Sequence, residues 1–237
     1  MFYIPKNLLS TQNAKTVKGE KEGVSTYIMY MAPFTQNATG KNVCSHATKG
    51  CAKACLFTAG RGKFANVKKG RTNKANYFFA DRQKFLNQLV LEIARIERKH
   101  VKNGTEFAVR LNGTSDLSWE RLKVSSIGKS LIEMYPNVQF YDYTKNPNRF
   151  KDTLPSNYHL TFSRAESNED KAMQVLSNGN SVAVVFNSKE LPITWKGFKV
   201  VDGDKNDLRY KDEKNVIVGL YAKGEAKKDT TGFVVHV

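Results

Sequence analysis

Hydrophobic residues along this chain fall into short runs that alternate with longer amphipathic stretches. The runs at 25–31, 106–111 and 138–143 are dense in β-branched and aromatic residues, which predicts strands. The run at 181–186 is almost continuously apolar, as expected of a strand covered on both faces. The remaining predicted strands lie at 158–162, 197–201, 216–221 and 233–237.

Helical periodicity is clearest in the stretch that follows the first predicted strand and its loop. Between residues 73 and 99 the apolar residues recur every three or four positions, which predicts one long helix that ends before Gly104. A second helix is predicted from about residue 118 to 135, and a third over 168–176.

Strands that alternate with helices predict βαβ units and a mainly parallel sheet. A chain of 237 residues is long enough to bury one full core. The predicted fold is therefore a single α/β domain, a partial or complete TIM-like (β/α) barrel, with an open doubly wound sheet as the alternative. Residues 1–24 are interpreted as an N-terminal arm.

The charge balance points to an anionic partner. Lys and Arg number 38 against 22 Asp and Glu, a net charge of +16. Such a surface attracts an anionic small-molecule substrate or nucleic acid, although a solvated cationic surface is the plainer explanation. The oligomeric state is not predicted.

The sequence gives no sign of a membrane or an export signal. No apolar run approaches the roughly 20 residues of a bilayer-spanning helix, and the first residues lack the order of a signal peptide. A cytoplasmic location is expected, in a host cell if the protein is viral. Thiols stay reduced there.

All three cysteines of the chain lie in the predicted loop at 33–72. Six residues separate Cys44 from Cys51, and three separate Cys51 from Cys55. A structural zinc site needs four ligands, and the nearest fourth is His46 at a spacing unlike zinc fingers. Three thiolates without a fourth cysteine suit a [4Fe-4S] cluster with one open iron. Zinc and a set of plain buried thiols remain alternatives.

In a TIM-like barrel the chemistry lies at the carboxyl ends of the strands, and polar residues follow most strands here. Solvent-exposed loops commonly contain polar residues, which accounts for many of these taken one at a time. Their recurrence after successive strands predicts a shared polar pocket. Cations there would stabilise developing negative charge, and carboxylates would move protons. The candidate catalytic residues are Arg110, Asp116, Asp142, Lys145, Asp202 and Lys223. The candidate cofactor-binding residues are Gly60, Arg61, Asn112 and Ser163.

Three stretches resemble a known family. The runs GCAKACLFTAGRGKFANV at 50–67, VRLNGTSDLSW at 109–119 and VVDGDKNDLRYKDEKNVIVGLYAKG at 200–224 are similar to the phage-associated gene product 88 domain. The resemblance implies a viral origin and does not imply an activity.

A second resemblance is to the radical SAM enzymes. In that superfamily a three-cysteine loop follows the first strand of a partial TIM barrel, and the open iron of its cluster binds S-adenosylmethionine. The placement of the cysteine loop agrees, but the family spacing of three and two intervening residues does not match six and three. No glycine-rich S-adenosylmethionine motif is evident, so the likeness concerns the fold more than the cofactor.

Three hypotheses of function follow. The first is an enzyme that uses the open iron as a Lewis acid for ester-type hydrolysis or elimination on an anionic substrate. The second is a radical SAM enzyme on the same cluster. The third is a basic nucleic-acid-binding protein with a structural metal site.

Overall fold

A computed structural model describes residues 3–11 and 14–237, so residues 1, 2, 12 and 13 of the predicted N-terminal arm lie outside the described residues. The strands are β1 (Leu9–Ser10), β2 (Val24–Met29), β3 (Glu106–Arg110), β4 (Lys123–Val124), β5 (Lys129–Ser130), β6 (Gln139–Thr144), β7 (Tyr158–Ser163), β8 (Val182–Phe186), β9 (Thr194–Trp195), β10 (Phe198–Asp202), β11 (Ile217–Tyr221) and β12 (Val234–Val235). The helices are α1 (Ala14–Lys21), α2 (Lys49–Lys53), α3 (Ala65–Ala80), α4 (Arg82–Asn103), α5 (Leu131–Met134) and α6 (Glu169–Ser177).

Each predicted strand corresponds to an observed one with small shifts at the ends, but two helix predictions are wrong. The single helix predicted over 73–99 is two helices, because Asp81 has non-helical dihedral angles and its carboxylate accepts a hydrogen bond from the backbone of Lys84. The helix predicted over 118–135 is a 3₁₀ turn, the hairpin β4–β5 and the single turn α5. Gly128 closes the hairpin with a positive φ.

The main sheet has ten strands and is mostly parallel. Its path is β1-β2-β3-β6-β7-β8-β11-β10-β9, and β12 pairs with β8 off this path. Only the edge pairs β1–β2 and β9–β10 are antiparallel. No pairing among the described strands joins the two ends of this path, so the sheet is not a closed barrel. The mixed α/β fold with a mainly parallel sheet is confirmed.

Strands β7 and β8 separate part-way along their length. They pair only where Phe162 meets Val182 and Ser163 meets Ala183. Beyond that point β12 pairs with β8, at Val185 and Phe186. Because β11 occupies the other edge of β8, the C-terminal strand fills the gap that β7 leaves.

The largest hydrophobic core lies between the first half of the sheet and helices α3 and α4. It includes Phe85, Leu89 and Ile93 of α4, which recur at helical spacing and are fully buried against strand residues such as Val109. Glu92 is buried on the same helix, where its carboxylate accepts the backbone N–H groups of Leu8 and Leu9. This contact attaches the N-terminal segment to α4.

We predict an acid-dependent loss of stability from His159, which lies on β7. Burial, with smaller contributions from nearby Arg209 and Lys214, lowers the pKa of His159 to about 4. The unfolded histidine has an ordinary pKa of about 6.5, so between these values only the unfolded chain binds the proton. The stabilising effect of the neutral ring is complete above the pKa of the unfolded state. It is lost as the pH falls through the pKa of the folded state.

The test compares urea unfolding of the wild type and His159→Gln at about pH 7 and about pH 4. Between pH 7 and pH 4, the free energy of unfolding of the wild type should fall by on the order of 2 kcal/mol more than that of the variant. Parallel pH curves for the two proteins would show that His159 does not titrate in this way.

Candidate cysteine-lined site

A cavity of about 210 Å³ opens at the carboxyl ends of the parallel strands β3, β6, β7, β8 and β11. All three cysteines line it, although they come from a loop that follows β2. Of the other predicted site residues, six also line the cavity: Arg110, Asn112, Asp116, Lys145, Ser163 and Lys223. The predicted shared pocket therefore exists as a geometric feature.

Helix α2 of the cysteine loop is held against the loop that follows β7. The hydroxyl of Thr48 caps α2 by accepting the N–H of Cys51 and donates to a carboxylate oxygen of Glu166 at 2.7 Å. The other oxygen of Glu166 accepts the N–H of Gly50 at 2.7 Å. A Cβ atom at residue 50 would lie 2.3 Å from the hydroxyl of Thr231 and 2.7 Å from that carboxylate, so a larger residue would have to displace both side chains.

Cys44 is fixed to the loop that follows β3. Its N–H donates to the side chain of Asn42, and its thiol lies 3.7 Å from the carbonyl oxygen of Thr114. The N–H of Asp116 donates to the carbonyl of Val43, which immediately precedes Cys44 in the chain. Burial, together with the smaller effect of negative charge on Cys55 and Cys51, raises the pKa of the Cys44 thiol to about 12. The three thiols are therefore close enough to influence one another.

Cations surround the thiol of Cys55. Burial raises its pKa and a charged Cys51 would raise it further, whereas Lys145 and Arg71 lower it. The Arg71 guanidinium lies over the rings of Tyr30 and Phe57, at 4.8 Å and 5.5 Å from their centroids. Its Nε and Nη1 atoms are buried and have no hydrogen-bond partner in the part of the chain that the structure describes.

The cysteines do not surround a common point closely. Among residues 3–11 and 14–237, no group of three or more His, Cys, Asp or Glu side chains is arranged to hold a single metal ion. His46, the nearest residue that could serve as a fourth zinc ligand, is exposed and its Nδ1 lies 3.1 Å from the hydroxyl of Ser45. A zinc ion needs its ligands about 2.0–2.3 Å from one centre, whereas a cluster distributes thiolates over separate iron atoms.

Asn112 organises the loop beneath the cavity. Its side-chain oxygen accepts the hydroxyl of Ser115, the N–H of Leu117 and the indole N–H of Trp119 at 2.8–3.0 Å. Its amide nitrogen donates to Leu117 and Asp142. With its amide group used in this way, Asn112 lines the cavity as a structural residue and not as a cofactor ligand.

Asp142 lies behind Asn112 and does not line the cavity. Its carboxylate accepts the N–H of Asn112 at 2.7 Å and the hydroxyl of Tyr158 at 2.9 Å. Burial raises the pKa of Asp142 to about 7, although Arg110 and Arg149 oppose the shift. Asp142 therefore positions Asn112 and has no direct path to a bound substrate.

Arg110 forms a buried ion pair at the base of the cavity. Its Nη1 lies 2.8 Å from a carboxylate oxygen of Asp207, which also accepts the hydroxyl of Tyr141. The guanidinium lies 4.5 Å from the centroid of the Tyr143 ring. Burial disfavours the charge, but the pairing with Asp207 raises the pKa of Arg110 above its ordinary value. Arg110 is therefore a permanent cation facing the cavity.

Lys145 and Ser163 form a polar contact inside the cavity. The ammonium group of Lys145 donates to the hydroxyl oxygen of Ser163 at 2.9 Å and lies 5.6 Å from the ring centroid of Phe233. The backbone N–H of Lys145 donates to the carboxylate of Asp116, which also faces Arg149 at 3.4 Å. An ammonium beside a hydroxyl binds an anion and keeps the hydroxyl proton available to it.

Besides Asp142, three predicted residues lie away from the cavity, and several of its lining residues were not among the candidates. Gly60 and Arg61 belong to an exposed 3₁₀ turn, and Asp202 is exposed and accepts the N–H of Asp204. The lining residues outside the candidate set include Tyr143, Asp204 and Phe233. Asp204, which pairs with Lys223, follows the strand-end rule two positions after Asp202. Phe233 gave no signal, because β12 brings it to the cavity through a pairing that local sequence does not reveal.

The comparisons with known proteins give one match. The family model described as gene product 88 matches residues 7–237. No curated protein and no solved structure matches the chain. None of the helices described is both long enough and apolar enough to cross a membrane.

We predict that Gly50→Ala displaces the cysteine loop, because the added methyl group would clash with Glu166. The matched control is Gly70→Ala, since Gly70 lies in exposed α3 with no atom within 4 Å of an added Cβ. In thermal unfolding, the free energy of unfolding should fall by about 1–3 kcal/mol for Gly50→Ala and rise by up to about 1 kcal/mol for Gly70→Ala. Faster amide hydrogen exchange at residues 50–54 should accompany only Gly50→Ala. Equal exchange in both variants would contradict the proposed contact.

Proposed function

The chain belongs to the gene product 88 family, and we propose that it is an iron–sulfur enzyme that acts on an anionic substrate. The observation that carries this proposal is the convergence of Cys44, Cys51 and Cys55 on the same cavity as Lys145 and Arg110. Thiols supply cluster ligands, and the two cations supply an anion-binding group. We interpret the sheet as an open, partial barrel whose carboxyl edge carries this site.

The protonation of the thiols supports a metal centre. Burial raises the pKa values of Cys44 and Cys55, and a thiolate at Cys51 would raise both further. Three thiolates in one cavity therefore need positive charge, which bound iron supplies, and metal binding releases their protons. Lys145 and Arg71 offset part of the remaining negative charge near Cys55.

When bound, the cluster would supply an open iron that acts as a Lewis acid for ester-type hydrolysis or elimination. The protein residues would bind and orient the substrate. Arg110 and Lys145 attract its anionic group, and the Ser163 hydroxyl can donate a proton to a substrate oxygen because its own oxygen already accepts from Lys145. Apolar residues such as Val185, Leu220 and Phe233 exclude water from one wall of the cavity.

The carboxylates of the cavity have structural partners. Asp116 accepts the N–H of Lys145, and Asp204 accepts the N–H of Tyr221 at 2.9 Å while it pairs with Lys223. The hydroxyl of Ser163 and the ammonium of Lys145 are therefore better candidates for proton transfer than either carboxylate.

We predict that anaerobic reconstitution with iron and sulfide gives a cluster that depends on all three cysteines. Cys44→Ala, Cys51→Ala and Cys55→Ala should each lose most of the bound iron and the broad visible absorption, because a cluster with two protein thiolates is poorly held. His46→Ala is the control, since the exposed His46 does not line the cavity. If the cysteine variants retain iron, the iron–sulfur proposal is wrong. Zinc that is bound without iron and lost in His46→Ala would indicate the four-ligand zinc site instead.

A second prediction separates the Lewis-acid reaction from radical chemistry on the same cluster. The reconstituted and reduced protein should not cleave S-adenosylmethionine, because the open iron is used for the substrate in the Lewis-acid reaction. The measurement is formation of 5′-deoxyadenosine and methionine, detected by chromatography, with the Cys51→Ala protein as the blank. Cleavage above that blank would replace the Lewis-acid reaction with the radical one.

A further inference from the structure

The cysteine loop and helix α3 lie in the most one-sidedly charged part of the chain. Between Glu22 and Asp81 there is no Asp or Glu, whereas the same stretch contains seven Lys and two Arg residues. This quarter of the chain therefore supplies more than half of the net charge of +16. Seven of these nine cations are exposed: Lys41, Lys49, Lys53, Arg61, Lys63, Lys68 and Lys69.

These exposed cations have no acidic partners, unlike the cations at the opposite edge of the sheet. At the amino ends of the strands, Lys199 pairs with Glu213 at 2.8 Å and Lys211 pairs with Glu106 at 3.2 Å. Within the described ranges no carboxylate lies within ion-pairing distance of the seven exposed cations on the cysteine side. Their charge is therefore available to a partner that is itself anionic.

An exposed aromatic ring lies among these cations. Phe64 precedes α3 and is 58% exposed, between Lys63 and the first turns of the helix that carry Lys68 and Lys69. The neighbouring Leu56 is 46% exposed and lies at the cavity mouth. An apolar ring framed by cations suits an unstacked base with its phosphates, whereas a duplex keeps its bases within the stack.

We infer that this face, formed by residues 49–69, binds single-stranded nucleic acid. Lys68 and Lys69 neutralise phosphates, and Phe64 stacks on a base. The face meets the cavity at Leu56 and at Cys51, so a bound strand passes the cavity mouth. The inference goes beyond the proposed iron–sulfur function and does not depend on it, because the cations and the ring belong to the protein alone.

The test is fluorescence anisotropy of a labelled single-stranded oligonucleotide of about 16 nucleotides, titrated with the full chain over a range of salt concentrations. For wild type, the logarithm of affinity should fall linearly with the logarithm of salt concentration. The double variant Lys68→Ala/Lys69→Ala should reduce the magnitude of this slope by about 1.4, from two lost phosphate contacts. Lys199→Ala/Lys211→Ala removes the same charge from the opposite edge and should leave the slope nearly unchanged.

The contribution of stacking is tested separately at Phe64. Phe64→Ala should weaken binding about five- to a hundredfold, while Phe64→Trp should retain it, because stacking needs an aromatic face. These side chains are exposed, so circular dichroism should show an unchanged fold. Absent binding, equal effects of the two lysine pairs, unchanged binding by Phe64→Ala, or tighter binding of the matching duplex would each overturn the inference. A protein that binds the strand but holds no iron would overturn only the iron–sulfur proposal.

Discussion

The separation of β7 from β8 is the constraint on which the cavity depends. Backbone groups that lose their partner in a sheet need another, because a buried unpaired N–H or C=O is costly. Here β12 supplies the partner to β8, and Arg164 donates to the carbonyl oxygen of Phe233 at 3.1 Å while it also pairs with Glu169. The C-terminal segment is thus part of the site, since it fills the gap beside β8 and places Phe233 in the cavity wall.

Two buried ion pairs lie beneath this cavity, and they fix its geometry more than they raise the free energy of unfolding. The pairs Arg110–Asp207 and Arg149–Glu120 are almost inaccessible to solvent, and removing such ions from water costs nearly as much as their attraction returns. Asp207 links Arg110 at the end of β3 to Tyr141 of β6, and Tyr158 of β7 links Arg149 to Asp142 of β6. The cavity floor is therefore rigid, while the cysteine loop above it is held by the few contacts of Glu166 and Thr114.

Local sequence predicted the strands well and the cavity partly, for identifiable reasons. Short apolar runs mark buried strands, and the strand-end rule found Arg110, Lys145 and Lys223, because parallel strands bring their carboxyl ends to one edge. Asp142 does not line the cavity although the residues that follow it on β6 do, since its carboxylate is bonded to Asn112 and Tyr158 instead. The helix predicted over 118–135 failed because the Ser130–Glu133 capping box begins a single turn only. The insertion of β12 beside β8 has no local signal at all.

Helix α3 connects the two electrostatic features of the molecule. Its side chains divide by direction: Arg71 lies against Tyr30 and Phe57 on the side of Cys55, while Lys68 and Lys69 are exposed to solvent. A carboxylate anywhere on this segment would neutralise one group or the other, and residues 23–80 contain none. Because residues 23–80 contain no carboxylate, Arg71 keeps its effect on the pKa of Cys55. For the same reason the outer surface of the segment stays positive. One segment supplies both the thiols and the field around them, so the charge of the face and the chemistry of the cavity depend on the same stretch of sequence.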